Sequence, residues 1–467
     1  MKKNSNVKGI SKITKLIILI STIVLILALV LVLLFVLMRR RESAEIITLT
    51  YANWNLGQNH DNALELRMIQ SFMDEHPHIR VEIDTSIGAP MAWTDSLALA
   101  ANQNRLPDVF GLEDISSKAA QGWLLDITSH VWADVDFFDL TGNVQEVMRI
   151  YGTMYAVPFA QNIHGYFVNH DMLREIGLEP PSHGMSANDF ISMVRAATDF
   201  NRPSIGLNTI FPFVEWFPST LNPALGFFGF NDLDISFALN SPEMLEAVRI
   251  AAELHSGGYV FDGITNTSYF PSGNALGAFR DGQMAFFYGG SWHADIMLNQ
   301  MNFDWEFIGV PGGRSIITLE VLGLASTTNH PEEAYKLARW MGHGTEGSLR
   351  RLEYARQMGI MPTTLPVSQN SAVLEELIQL VPIPGLMEIY SSLDNALIDG
   401  LRVLPGYMQA RFTAPTGVEV YGSHFVDIGV DALIRYAITG HTYFPENSHI
   451  AEDITRQQLN SALIPFR

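Results

Sequence analysis

The chain has 467 residues, 47% of them apolar, with 27 Phe and 8 Trp, which is too long for one ordinary domain and enough to fill two sizeable cores. Its net charge is −20 and no long low-complexity run interrupts it, so nucleic-acid binding and disorder both fit badly. It has no cysteine, which excludes disulfides, thiolate metal sites, cysteine nucleophiles and a lipid-modified N-terminal cysteine.

Residues 1–41 stand apart from the rest. Lys2, Lys3, Lys8, Lys12 and Lys15 open the chain without an acid, Leu16 to Met38 runs uncharged for 23 residues, and Arg39, Arg40 and Arg41 follow. About 20 apolar residues suffice for a helix to cross the hydrocarbon core. A cleaved signal has a shorter apolar region, roughly 7–15 residues, and a small-residue cleavage site, for which Ser43-Ala44 is a weak match. The expectation is therefore one transmembrane anchor with the N-terminus in the cytoplasm, following the flanking cations. Residues 42–467 then lie on the extracytoplasmic side of the cell membrane. Secretion after signal cleavage is the alternative. Setting aside the eight cations and no acids of residues 1–41 leaves 21 cations against 49 acids, a charge of −28.

Glu45 to Ala52 reads as a buried strand, followed by a polar loop through Trp54, Asn55 and Asn59. Leu64, Met68, Ile69 and Phe72 recur at helical spacing over Ala63 to Glu75, Pro77 ends that helix, and Ile79 to Ile83 alternates as a strand does. This β–α–β opening implies a parallel sheet covered by helices. The alternation continues. A helix is expected over Trp93 to Asn104, a short strand over Pro107 to Phe110, and a helix over Ser116 to Gln121. Two extended runs follow, Tyr155 to Phe159 and Gly165 to Asn169, then a short helix over Asp171 to Ile176. Ser186 caps a helix over Ala187 to Thr198, and Ser241-Pro242 starts another that runs through Leu254. Pro331 to Met341 is amphipathic. No internal repeat of 20–50 residues is present.

Six segments in order carry a resemblance. They are Phe72 to Val81; Leu106-Pro107-Asp108-Val109 with Gln121 to Thr128; Tyr155 to Pro158 with Phe167 to Leu173 and Gly177 to Pro181; Asn240-Ser241-Pro242-Glu243; Phe279 to Phe286 with Gly290-Ser291-Trp292; and Val310-Pro311 with Asn329 to Ala334 and Gly359 to Thr363. Together they resemble the extracellular solute-binding proteins of ABC transporters, the group that holds maltose- and oligosaccharide-binding proteins. Two departures are the missing lipid-modified cysteine and Gly184 to Asp189, where the family often has Trp.

The resemblance implies an α/β fold of the two-lobed periplasmic-binding-protein type (type II). Each lobe is a sheet flanked by helices, with a ligand cleft between the lobes. The expected boundaries are 46–162 plus 311–345 for the first lobe and 163–310 plus 346–467 for the second. Crossings are expected near Phe159 to Gly165, near Ile308 to Gly313 and after Gly344, with hinge closure around the ligand. The implied function is the substrate-binding component of an ABC importer, a monomer that passes a sugar or oligosaccharide to permease subunits. No cofactor and no metal are implied.

A sugar ring needs flat aromatics for its C–H faces and planar polar groups for its hydroxyls. In α/β lobes these belong on loops at the carboxyl ends of strands. Trp54 and Asn55 follow the first strand, with a half-buried loop tryptophan as the plainer alternative. Glu113 and Asp114 follow Val109-Phe110, where a helix cap is the alternative. Gln161 and Asn162 lie at the first crossing, where hinge hydrogen bonding is the alternative. Trp292 matches the stacking aromatic of the resemblance, against a core anchor. Trp216 is the last candidate, against packing under a loop. Trp93, Trp123 and Trp340 read as structural.

Catalysis has no support. A hydrolase needs two carboxylates at a set separation, but among 49 acids a pair carries no information. No G-x-S-x-G elbow, H-E-x-x-H or P-loop lysine motif is present. Two other readings use the same fold: a membrane-anchored sensor or co-receptor, and a binder of a non-sugar polar solute.

Overall fold

The structure, a computed structural model, describes residues 26–30, 46–57, 59–88, 92–263, 270–418 and 428–466. The expected anchor at 16–38 and the cleavage alternative at 43–44 lie outside the described residues except for 26–30, which are helical and exposed. Among the described residues no helix is long and apolar enough to cross a membrane.

The β–α–β opening is present as β1 (Ile47–Ala52), α1 (Asn59–Glu75) and β2 (Ile79–Ile83), with β1 and β2 parallel and Ile47 opposite Ile79. Leu64, Met68, Ile69 and Phe72 are all buried, as their spacing requires. Next come α2 (Trp93–Asn102), β3 (Val109–Leu112) and α3 (Ile115–Ala120). The two extended runs expected around residue 160 are one strand of 14 residues, β4 (Ala156–Asn169). Its polar middle, Gln161 to His164, reads as a loop by composition. It remains extended because the apolar strand β8 (Ile316–Leu324) bonds to it along residues 156–164.

Between these strands lie β5 (Ile205–Leu207), β6 (Met284–Gly290) and β7 (Trp305–Ile308). The sheet order is β2-β1-β3-β8-β4-β6-β5, with β7 also on β4. β4 thus belongs to both halves of the molecule. Its first half pairs with β8, its second half with β6 and β7. β8 crosses in the opposite direction, from His164 at Ile316 to β3 at Val321–Leu324. Two apolar clusters follow from this arrangement. One is built on Tyr51, Phe72 and Phe110, the other on Phe190, Phe213, Trp216 and Phe286.

Ser186 and Ser241 cap their helices as expected, accepting from Asp189 and Met244 backbone N–H groups at 3.1 and 3.2 Å. The helix Thr345–Met358, expected in the second lobe, packs on the first instead. Arg351 pairs there with the buried Glu65, and the indole of the neighbouring Trp340 donates to the Met68 carbonyl at 3.1 Å. The helix Ser371–Leu380 follows it, with Asn370 bonded to Asp139 at 3.0 Å. The third crossing therefore comes later than Gly344, where Leu397 and Ile398 pair with Ile316 and Ile317 of β8.

Candidate functional site

β4 and β8 form the floor between the two halves. Asn162 lies opposite Thr318, Ala160 opposite Glu320 and His164 opposite Ile316. Alternate residues of a strand share a face, and opposed residues share it too. Asn162, His164, Thr318 and Glu320 therefore project together, and Gln161 projects to the other side. His164 meets Thr318 Oγ1 at 3.1 Å and Tyr288 OH at 3.3 Å, and Tyr288 donates to Glu215 at 3.4 Å. Burial, with Arg411 and His293 nearby, pushes the His164 pKa down to about 4.

Trp292 stands at the rim. It follows β6 and turns back on Gly290, where a Cβ would lie 2.1 Å from its ring. Its indole meets His164 edge-on at 4.9 Å and is 41% exposed. On the first-lobe side Trp54 and Trp93 pack edge to face at 5.4 Å. With Asn53, Leu56, Asp84 and Thr85 they line a pocket of about 480 Å³. Gly111 makes this possible, because a Cβ there would lie 2.8 Å from the Trp54 ring. Trp93 is fixed by its indole N–H on the Gly111 carbonyl at 3.1 Å. The Arg402 guanidinium lies over Trp54 at 5.0 Å and bonds to Glu320 at 3.0 Å. Side chains thus connect the first-lobe pocket to the strand floor and on to Trp292.

Residues 67–379 match the family described as bacterial extracellular solute-binding protein. This chain belongs to that family. As a member, the binding protein acts outside the cytoplasm and captures a solute, and it is not an enzyme. The mannitol-binding protein of Pseudomonas aeruginosa is 25% identical over 168 residues, which cover 35% of this chain and 36% of that one. The binding protein thus spans about a third of the length of this curated relative. An ABC substrate-binding protein from Listeria monocytogenes in complex with cycloalternan shares the fold with a TM-score of 0.65 at 18% identity, over 89% of this chain and 100% of that one. The cyclic alpha-maltosyl-1,6-maltose binding protein from Arthrobacter globiformis does so at 0.64 and 18% identity, over 89% and 99%.

The structure separates the residues expected at the binding protein's site. Trp54, Asn162 and Trp292 lie along the connected surface. Asn55 sits in the turn after β1, its backbone N–H on Asn53 at 2.9 Å. Glu113 accepts from the Thr94 hydroxyl. Asp114 is buried and caps α3, accepting from Ser116 at 2.7 Å and from Ser117 at 3.2 Å. Gln161 is buried on the far face, where its amide donates to the Pro366 carbonyl at 2.8 Å. Trp216 is 0% exposed and donates to Tyr166 OH at 3.0 Å, in the core of the second lobe. Trp93, read from sequence as structural, lines the pocket. The helix Phe213–Leu221 that holds Trp216 places its neighbour, Glu215, at the polar cluster instead.

Arg411, Glu215, Tyr288, Asp399, His164, Glu320 and Arg402 escaped sequence reasoning. A signal was present in two of them. Glu215 interrupts the apolar run Phe211 to Phe217 and Glu320 interrupts Ile316 to Leu324. An acid inside an apolar run is costly to bury unless it is paired. Arg411 makes that pairing for Glu215 at 2.7 Å, with Asp399 at 3.4 Å and Asp431 at 3.5 Å.

A pH prediction follows from His164. Its folded pKa lies below its ordinary value of 6.5, at about 4. Between these two values the unfolded chain takes up the proton and the folded chain does not. Stability is therefore lost as pH falls through that window, by up to about 3 kcal/mol from this residue. Urea unfolding of wild type and His164→Gln across pH 4–7 should show wild type losing stability relative to the variant as pH falls, by up to about 3 kcal/mol. Parallel curves would show that the imidazole is not held neutral.

Proposed function

We propose that this chain is the extracytoplasmic substrate-binding component of an ABC importer. It takes a sugar or oligosaccharide between its lobes and delivers it to permease subunits as a monomer. The observation that carries the reading is the aromatic surface at the strand floor. Trp292 is exposed beside His164, and the Trp54–Trp93 pair lines a pocket at the strand ends of the first lobe. Flat rings next to paired acids and amides suit the faces and hydroxyls of a sugar. The carbohydrate ligands named for the Listeria and Arthrobacter proteins of the same fold support the class.

Trp54, Trp93, Asn55, Glu113, Asn162 and Trp292 are the proposed ligand contacts. Asp114, Gln161 and Trp216 hold the fold around them. The first lobe comprises residues 46–160 with 320–380, and the second takes the rest of the described chain beyond the floor strands. Residues 16–38 anchor the protein as a single-pass helix.

A thermal-shift screen of the purified protein against mono- and oligosaccharides, with polyols and peptides as controls, tests the reading. A sugar at 100 times its Kd adds about 2.7 kcal/mol. A melting shift confined to one sugar class is expected. A cooperative melt that no sugar moves, while a peptide or other solute does, sinks the carbohydrate assignment.

A further inference from the structure

The third crossing does more than connect the lobes. Just beyond its paired residues, Leu397 and Ile398, the chain sends Arg402 and Gln409 onto the first lobe. Arg402 lies over the Trp54 ring at 5.0 Å, donates to the Leu112 carbonyl at 3.2 Å, and accepts from the Ile115 N–H at 2.9 Å through its own carbonyl. Gln409 donates to Asp114 at 3.4 Å. Every one of these partners sits at the carboxyl end of β1 or β3, the edge that also borders the ligand pocket. Two residues beyond Gln409, Arg411 is held by Glu215 and Asp431 of the second lobe at 2.7 and 3.5 Å. This stretch is therefore fixed to the second lobe at one end and rests on the first at the other.

We infer that Arg402 and Gln409 form a latch between the lobes, which sets how far the ligand-free cleft stands open. This rests on the two-lobed binding reading and adds to it a control on that same site. The first-lobe side of the latch is the weaker one. Asp114 keeps its bonds to Ser116 and Ser117 when Gln409 leaves. In the latched state Arg402 Nε and Glu320 Oε2 are buried without partners, so release lets both be solvated. Opening the hinge slides Arg402 off Trp54, and closing returns it. The latch thus couples the state of the hinge to the first-lobe aromatic platform.

The absence of cysteine allows clean spin labelling of the full-length chain in detergent. Ser86→Cys in the first lobe and Asn299→Cys in the second are both exposed positions. The distance between the two labels, without any added sugar, reads the opening. In the Arg402→Gln, Gln409→Ala background the distribution is expected to move to longer distance by more than its width. A distribution that superposes on that of the labelled parent, with Arg402 and Gln409 in place, overturns the latch and leaves these contacts as a passive pivot. Should the double variant lose its cooperative melt, Gln409→Ala alone gives the same comparison, because it removes a single bond from an exposed side chain. The two readings fail separately. A sugar-dependent melting shift with unchanged distances rejects the latch alone, whereas longer distances in a protein that no sugar stabilises reject the carbohydrate reading alone.

Discussion

Replacing Arg411 by methionine should destabilise the protein by about 3–5 kcal/mol, the usual cost of leaving buried charges without their partner. The Arg411 side chain is 6% exposed and faces Glu215, Asp399 and Asp431 at 2.7, 3.4 and 3.5 Å. Its guanidinium also lies 5.2, 4.5 and 4.9 Å from the rings of Phe227, Phe228 and Phe412. Methionine keeps most of the apolar contact, so the loss reports the charge. Burial already raises the pKa of Glu215 and of Asp399, and Arg411 opposes that rise in both. Without Arg411 the two carboxyls take up protons at higher pH. Neutral carboxyls are less costly to bury than carboxylates, so the variant should recover part of its stability on mild acidification. Arg249 serves as the contrast. It makes two bonds of 2.6 Å, to Glu246 and Glu253, but its side chain is 53% exposed. Arg249→Met should cost at most about 1 kcal/mol, as exposed pairs do. Equal losses from the two variants in urea unfolding would mean that the Arg411 cluster is solvated.

Trp292→Ala should weaken ligand binding by about 2 kcal/mol or more, roughly thirtyfold in Kd, the range of a central aromatic contact. Stability should change little, because 41% of the residue is exposed. Trp132 controls for the loss of any exposed indole. It is 48% exposed and packs at a tilt against Phe138 at 5.9 Å and under Arg149 at 4.9 Å. Trp132→Ala should leave affinity unchanged. Calorimetry on the sugar that emerges from the thermal screen distinguishes the two. If both variants bind like wild type, Trp292 is not a platform and the site must be built on Trp54 and Trp93.

Much of the fold is legible in the chain because local periodicity and punctuation carry it. The spacing of Leu64, Met68, Ile69 and Phe72 marks the buried face of α1, and Pro77 ends the helix. Ser186 and Ser241 are found as caps from residue type and position alone. The ordered short motifs lead to the family, and the same route makes Trp292 a proposed ligand contact. Side-chain facing is legible only once a strand is known to be a strand. Gln161 and Asn162 look equivalent as neighbours in a polar stretch. In β4 they point to opposite faces, one bonded to Pro366 and the other beside Thr318.

The sequence by itself determined the α/β class, the order of elements, the acidic character and the aromatic supply, since each depends on neighbours within a few positions. The tertiary structure decided which polar groups share the site. Arg411 meets Glu215 from 196 positions away, and Arg402 meets Trp54 across the whole of both lobes. Such pairings are fixed by how three crossing segments bring distant strands to one edge. No local pattern encodes that convergence, because each partner's own neighbours look like ordinary core or loop.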